Sequence, residues 1–361
     1  MSSGSHWHNV VRLAWSTGGV VAINEPGAEV RIHAGVAGTI VHTIRISDYG
    51  ELFAKLREQG LPTLAATFVK DPEELQGLRP SDFRAMSTAT DRWLLWEARQ
   101  EWRQIAFGAG RVDQMRLLDV ASRVASALTY TEMRLSDLVN AYGIQLRGHL
   151  QGDKPKDYQA FKDLNSFAVY KAIHALFWEL SVLRDSLAEF AGAFCFSHPD
   201  LRSMKGLRKL LRSSVQTDDL AKEIERATDP QGWVATFTSY RNLFTHLAPM
   251  EQAAGTAFAV QDMRELPGGL SVPQIYYALP GNLEELTRKR SKGALFNTLQ
   301  ELAAASSRRH NRGSEPDALE YLHGCIDKFA QLSQVFAGRS PIAPKPIQIG
   351  PDDLRGPVRV A

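Results

Sequence analysis

The sequence has little of what marks several common protein classes. Only two cysteines occur in 361 residues, Cys195 and Cys325, far apart and outside any C-x-x-C pattern. We therefore expect neither a disulfide framework nor a structural zinc site. We do expect a reducing, cytoplasmic location. No stretch of about 18 or more uncharged apolar residues is present, so the sequence predicts no membrane-spanning segment and no membrane partner.

Excess charge of one sign is also lacking. The chain has 42 Lys and Arg against 40 Asp and Glu, a net charge of +2, so no strong overall field attracts nucleic acid. Neither a P-loop nor a dinucleotide fingerprint is found, and we expect no cofactor and no metal. Basic residues do cluster locally, and each cluster is either a solvated face or an RNA contact. The clusters are Lys205, Arg208, Lys209 and Arg212; Arg288, Lys289, Arg290 and Lys292; and Arg308, Arg309, His310 and Arg312.

Two kinds of periodicity divide the chain. Short β-branched runs separated by glycine predict strands over 10–15, 19–23, 29–33 and 38–46, with a helix over 47–60. Residues 1–88 are therefore predicted to form an N-terminal α/β module, for sensing or partner binding.

Helical spacing follows from about residue 90, predicting helices over 91–107, 112–128, 136–150, 164–196, 201–227, 231–246, 282–305 and 316–336. A strand pair is expected over 257–260 and 270–279, joined through Pro267-Gly268-Gly269. The predicted fold is mainly α: a helical bundle over 89–338 with a short β-hairpin insertion, the smaller N-terminal α/β module, and a Pro-rich tail over 339–361.

The segment 231–246 presents an unusual polar face. At about 100° per residue, its large apolar side chains fall on one arc that faces the core. These are Trp233, Phe237, Tyr240, Leu243, Phe244 and Leu247. The remaining arc has no Glu or Lys, which a solvated face would normally carry. It holds Thr238, Arg241, Asn242, Thr245 and His246. Arg241 lies further round than Asn242 and His246, but its long side chain reaches the same region.

These side chains suit cleavage of RNA without a metal. A nuclease that uses the ribose 2′-hydroxyl as nucleophile needs a group that moves protons near neutral pH, and His246 is such a group. It also needs fixed positive charge on the phosphate, which Arg241 supplies, while Asn242 orients the phosphate or the imidazole. Thr238 and Thr245, with Lys205 and Arg208 from one basic cluster, are candidate substrate contacts. DNA has no 2′-hydroxyl and is not expected to be cut.

The pattern Arg241-Asn242-x-x-x-His246, late in a helical domain, resembles the signature of the HEPN (higher eukaryotes and prokaryotes nucleotide-binding) superfamily. The resemblance implies a helical bundle and an endoribonuclease whose catalytic residues are Arg241, Asn242 and His246, leaving a 2′,3′-cyclic phosphate. It implies a homodimer in which two motifs form one composite site. It also implies a toxin or antiphage-defence role, with a cognate antitoxin or defence-complex protein as partner.

Other interpretations of the same residues remain open. Pro249 ends the motif helix, so His246 could simply cap a helix C-terminus. The chain could also be a non-catalytic HEPN protein that binds RNA or docks a partner in a defence complex. His174 is predicted to be partly buried rather than a second polar contact of the motif. His323 and Cys325 are predicted to lie on a helix surface, and His6 and His8 in a disordered terminus.

Overall fold

An antiparallel sheet of six strands forms the N-terminal part of the fold. The computed structural model describes residues 9–75, 81–151, 160–213, 219–247, 258–307 and 315–347. The strands lie in the order β4-β3-β2-β1-β5-β6, and each pairs antiparallel with its neighbours. They are β1 Val11–Trp15, β2 Val20–Asn24, β3 Glu29–Ala34, β4 Ile40–Arg45, β5 Ala65–Val69 and β6 Asp82–Ala85. Helix α1, Glu51–Glu58, joins β4 to β5, and the short α2, Pro72–Leu75, follows β5. The four predicted strands and the helix predicted over 47–60 are thus confirmed, whereas β5, β6 and α2 are not among the predicted elements.

Most of the remaining described chain is helical, as the periodicity predicts. The helices are α3 Leu94–Arg111, α4 Met115–Gln151, α5 Leu164–Phe190, α6 Met204–Ser213, α7 Asp219–Thr228, α8 Trp233–Asn242, α9 Leu283–Ser291, α10 Leu299–Ser307 and α11 Ala318–Ala337. Two π-helical turns extend this set, Ala191–Cys195 after α5 and Leu243–Leu247 after α8. None of the helices in the described part of the chain is both long and apolar enough to cross a membrane.

Helix α4 corrects one prediction, because the segments 112–128 and 136–150 belong to a single helix of 37 residues. Thr131 and Glu132 occupy core positions between the two segments, and these polar residues interrupt the apolar period. The Glu132 carboxylate is buried but paired: it accepts 2.8 Å from Arg99 Nη1 and 3.1 Å from the backbone N–H of Ala85. A buried charge is tolerated when it is paired and hydrogen-bonded in this way.

Two other predicted helices are each divided in two. The segment 201–227 contains α6 and α7, with residues 214–218 outside the described part of the chain. The segment 282–305 contains α9 and α10, and α9 ends just before Gly293, whose φ of +131° favours glycine. The helix predicted over 164–196 is α-helical only to Phe190 and continues as the first π turn.

The predicted hairpin after the motif is present, but its first strand continues to Leu266 rather than ending at Val260, and one more strand lies beside it. Strands β8, Ala259–Leu266, and β9, Leu270–Tyr276, pair antiparallel along their length, from Leu266 opposite Leu270 to Val260 opposite Tyr276. The short β7, Ala160–Phe161, pairs with the outer edge of β8. Gly268 and Gly269 have φ values of +87° and +76°, which explains the glycine pair at the turn.

The N-terminal sheet packs directly on α4, and a single continuous hydrophobic core extends through both. Gly19 and Gly35 make this close approach feasible. A Cβ on Gly19 would lie 2.6 Å from the carbonyl oxygen of Tyr142, and one on Gly35 would lie 2.3 Å from that of Gly143. Both glycines also have positive φ, +85° and +82°. Their role is therefore packing of the sheet against a helix.

The prediction that His323 and Cys325 lie on a helix surface is wrong. Both are buried on α11, with exposed fractions of 2% and 4%. Nε2 of His323 lies 3.0 Å from the carbonyl oxygen of Leu64 and 2.9 Å from that of Met86, so this nitrogen carries the proton and donates. The imidazole thereby ties α11 to the end of the N-terminal sheet. Burial raises the pKa of the Cys325 thiol to about 12, which makes it unreactive.

Candidate functional site

The motif lies where α8 changes from an α-helix to a π turn. Arg241 and Asn242 are the last residues of α8, and His246 lies in the π turn Leu243–Leu247. In an α-helix, residues five apart point about 140° away from each other. Hydrogen bonds in a π-helix run between residues five apart, so such residues lie one above the other. The wider turn therefore brings Arg241 and His246 onto one face, where Arg241 Nη1 lies 2.9 Å from His246 Nε2.

The Arg241 guanidinium links the polar groups of this face. The same Nη1 donates to Oδ1 of Asn242 at 3.2 Å. Its Cζ lies 5.7 Å from the centroid of the Trp178 ring on α5, a cation–π distance. Because guanidinium nitrogens only donate, Nε2 of His246 must accept, and the ring proton is then on Nδ1. The ring thus presents a lone pair toward the arginine and an N–H on its opposite side.

A layer of aromatic side chains supports the motif from behind. Tyr240 and Phe244 are buried on the core side of α8 and the π turn. Phe177 of α5 lies 5.4 Å from Phe244, and Tyr321 of α11 lies 5.0 Å from Tyr240, centroid to centroid. The Tyr240 hydroxyl donates to the carbonyl oxygen of Pro280 at 3.0 Å, and burial raises its pKa to about 12. The predicted core and polar arcs are therefore both confirmed for this segment, and the back of the site is closely packed.

Two of the predicted basic clusters lie beside the motif helix. Arg290 on α9 donates from Nε to the carbonyl oxygen of Leu247 at 2.6 Å, which satisfies a carbonyl at the end of the π turn. On the other side, Lys205 and Arg208 of α6 line a cavity that Asn242 also lines. The third cluster, Arg308 to Arg312, lies outside the described residues, as do Pro249, His6 and His8.

This cavity has a volume of about 430 Å³ and lies between α5, α6, α7 and α8. Thr238 is part of its wall, but its hydroxyl already donates to the carbonyl oxygen of Val234 at 2.7 Å and accepts from Arg184 Nη1 at 3.0 Å. The structure therefore brings Thr238, Lys205 and Arg208 together with Asn242, as candidate contacts of one ligand. Thr245 is exposed on the π turn and does not line this cavity.

Three residues near the motif are absent from the sequence-based prediction. All three lie on α5, and the strong apolar period of this helix predicts only its buried face. They are Trp178, Arg184 and Asp185. Trp178 is 56% exposed, which is unusual for tryptophan and is a signal that could have indicated a surface role. His174, expected to be partly buried, is so, and its ring lies 5.9 Å from that of Phe244.

A second cavity, of about 550 Å³, lies at the other end of α8. It is bounded by α7, by Trp233 at the start of α8, and by Lys328 and Gln331 on α11. Although larger, it has no motif residue in its wall, and Lys328 lies over the Trp233 ring at 5.9 Å. The smaller cavity is therefore the one adjacent to the candidate chemistry.

No family model, no curated protein and no solved structure matches this chain. Function is therefore inferred from the residues themselves and from the geometry that brings them together.

Proposed function

We propose that the protein is a metal-independent RNA endonuclease of the HEPN type, with Arg241, Asn242 and His246 as its catalytic residues. The observation that carries this proposal is the 2.9 Å contact between Arg241 Nη1 and His246 Nε2 on the outer face of a π turn. π turns inside helices occur frequently at functional sites. A histidine that only capped the helix end would face the terminal carbonyls, whereas this imidazole faces the guanidinium and Arg290 bonds the carbonyl of Leu247.

The reaction follows from what each group can do. His246 Nε2 takes the proton of a ribose 2′-hydroxyl, and O2′ attacks the adjacent phosphorus. As the O2′–P bond forms, the bond from phosphorus to the 5′ oxygen breaks, giving a 2′,3′-cyclic phosphate and a 5′-hydroxyl. Once His246 Nε2 binds the 2′-hydroxyl, the Arg241 Nη1 proton that it had accepted is available to the phosphate oxygens, where charge accumulates in the transition state. Asn242 holds the guanidinium in place through Oδ1.

A second copy of the chain would complete the site, because the leaving 5′ oxygen needs a proton, which the partner's His246 would donate from its protonated form while this His246 acts as the base. The surface that continues from the motif suits such a partner. Trp178 and Val182 of α5 are 56% and 41% exposed, and Tyr130 and Met133 of α4 are 52% and 56% exposed. Exposed apolar side chains on two packed helices, one of them in contact with the motif arginine, are typical of protein interfaces. We therefore propose a homodimer that covers this surface and brings two motifs together.

The proposal is tested by incubating labelled single-stranded RNA with the purified protein in EDTA. We expect cleavage with 2′,3′-cyclic phosphate ends and no cleavage of DNA of the same sequence. His246→Ala should lower the rate by about 10²–10⁴-fold, the usual contribution of proton transfer. Arg241→Lys, which keeps the charge and loses the planar fork, should lower it by about 10²-fold. The matched control is His198→Ala, which removes an exposed imidazole after the first π turn.

The outcomes separate the alternatives. Cleavage that survives His246→Ala would contradict the assignment of the site. RNA that is bound but left intact, with or without a defence-complex partner, would instead favour the non-catalytic RNA-binding function. A solution mass of one chain at micromolar concentration would contradict the composite site.

A further inference from the structure

The cavity between α5, α6 and α8 has walls that fit a nucleobase. Its volume of about 430 Å³ lies within the range of small-molecule sites, about 300–1,000 Å³. Met204 and Val234 are buried in its wall and offer apolar contact to the faces of a planar ring. Asn242 is both a wall residue and a motif residue. A base held here would therefore belong to a nucleotide close to the scissile phosphate.

Positive charge lies at the same cavity. Lys205 is exposed on the first turn of α6, and Arg208 follows one turn later. The Nε of Arg208 is buried and has no hydrogen-bond partner within the described residues. Unpartnered buried donors are rare, and an acceptor from a ligand would satisfy this one. A phosphate beside the base supplies such an acceptor.

Asp185 gives the cavity a means of distinguishing bases. Its Oδ1 accepts from Arg184 Nε at 3.0 Å and from the backbone N–H of Met204 at 3.5 Å, and its Oδ2 accepts from Arg184 Nη2 at 2.9 Å. A carboxylate has about four acceptor positions, so one remains on Oδ2. That position can take an N–H from a ligand but repels a carbonyl oxygen. Arg184 and Met204 hold the carboxylate in place, so it is a preformed acceptor.

We propose that this cavity binds an unpaired nucleotide of the RNA substrate and selects adenine or cytosine, the bases that carry an amino group rather than a carbonyl at C6 of the purine or C4 of the pyrimidine. The amino group donates to Asp185, the ring lies against Met204 and Val234, and the phosphate contacts Lys205 and Arg208. Uracil has a carbonyl oxygen where cytosine has the amino group, and hypoxanthine has one where adenine has it. This inference rests on the proposed nuclease function and adds to it the specificity of the same site.

The test measures binding of nucleoside 5′-monophosphates to the full chain by calorimetry. Two matched pairs are used, cytidine against uridine and adenosine against inosine, so that each pair exchanges the amino group for a carbonyl. We expect the amino member of each pair to bind about tenfold more tightly, the effect of one hydrogen bond to a charged group. Inorganic phosphate alone should bind more weakly than any of them.

Three variants locate the binding. Asp185→Asn should reduce the tenfold preference to about twofold or less, because the amide no longer excludes a carbonyl. Ala235→Trp should abolish binding by filling the cavity that Ala235 lines. Lys205→Glu should weaken the binding of all four nucleotides alike. The control is Lys222→Glu, which changes an exposed lysine paired with Asp219 on α7 and should leave nucleotide binding unchanged. Lys205 and Lys222 are exposed, so neither change is expected to prevent folding.

Equal binding of both members in each pair would overturn the role of Asp185, and unaltered binding to Ala235→Trp would overturn the location. Both results are independent of catalysis. RNA cleavage without selective nucleotide binding would refute the cavity and leave the proposed function standing. Selective nucleotide binding without RNA cleavage would refute the proposed function and leave the nucleotide-binding cavity standing.

Discussion

Replacing Asp317 by alanine should destabilise the protein more than any ordinary loss of a helix cap. Asp317 is buried at the start of α11, where its Oδ2 accepts the backbone N–H groups of Leu319 and Glu320 at 3.0 and 3.1 Å. Its Oδ1 accepts the hydroxyl of Tyr142 on α4 at 3.0 Å and the backbone N–H of Tyr277, just after β9, at 2.8 Å. One carboxylate therefore joins two helices and a strand.

The expected loss follows from these four bonds. Removing a capping side chain from a helix costs about 1 kcal/mol. The Tyr142 hydroxyl and the Tyr277 N–H lie in the core, and a buried donor left without an acceptor costs about 1–3 kcal/mol. Relief from burying the carboxylate offsets part of the total, so we expect Asp317→Ala to lower the free energy of unfolding by about 3–5 kcal/mol.

Urea unfolding at pH 7, monitored by tryptophan fluorescence, measures this loss. The control is Asp163→Ala, which removes the carboxylate that caps α5 by accepting the Ser166 N–H at 2.9 Å. Asp163 is only half-buried, and Gln145 Nε2, which it also accepts at 3.1 Å, keeps its bond to Ser166 Oγ at 2.9 Å, so removal of the carboxylate should cost about 1–2 kcal/mol. A loss for Asp317→Ala no larger than that for Asp163→Ala, with equal urea dependence, would refute the reasoning.

Three further predictions concern pH, the proposed dimer and the glycine contacts. Burial raises the pKa of Asp317 to about 7, so the folded chain binds a proton at this carboxylate more tightly than the unfolded chain does. The stability contributed by this proton is complete below about pH 4 and is lost as the pH rises through 7. The urea midpoints at pH 5 and 8 should therefore differ more in the wild type than in Asp317→Ala. Trp178→Glu should give a monomer in a solution mass measurement, and the rate of RNA cleavage should fall at least in proportion to the fraction of dimer lost. An unchanged mass would contradict the interface. Gly35→Ala should destabilise by at least about 2 kcal/mol more than Gly268→Ala in thermal unfolding, because both have φ near +85° but only at Gly35 would the added Cβ lie 2.3 Å from a backbone oxygen, that of Gly143.

Local patterns were sufficient for the parts of the fold that depend on neighbours in sequence. Strands β1 to β4 alternate or run apolar between glycines, and Pro267-Gly268-Gly269 marks the turn between β8 and β9, so both were predictable. The continuity of α4 was not predictable, because Glu132 is stable at a core position only through Arg99 and the N–H of Ala85, 33 and 47 residues away. Likewise the buried place of His323 depends on carbonyl groups of Leu64 and Met86, more than 200 residues distant.

The candidate site was predictable in its residues but not in its geometry. Residue types and helical spacing place Asn242 and His246 on one arc, yet they leave Arg241 about 140° from His246. The contact between those two depends on the π turn, which reflects a change in backbone hydrogen bonding that no periodicity of side chains encodes. The cavity was not predictable because its walls come from four helices, and Asp185 lies on one whose apolar period indicates only a core-facing role.

Helix α5 shows why these features would act together. Its buried face, through Phe177, fixes the aromatic layer behind α8, while its exposed Trp178 contacts the Arg241 guanidinium. About two turns further, Arg184 and Asp185 form a wall of the cavity. The aromatic layer behind the motif, the proposed dimer surface and the proposed base pocket therefore all include residues of α5, a single helix of 27 residues that begins at a capping box on Asp163. A partner that docks on Trp178 would restrain the same guanidinium that is needed at the phosphate. Dimer formation and cleavage should therefore be lost together when the exposed face of α5 is changed, whereas changes inside the cavity should alter the choice of RNA and leave the dimer intact.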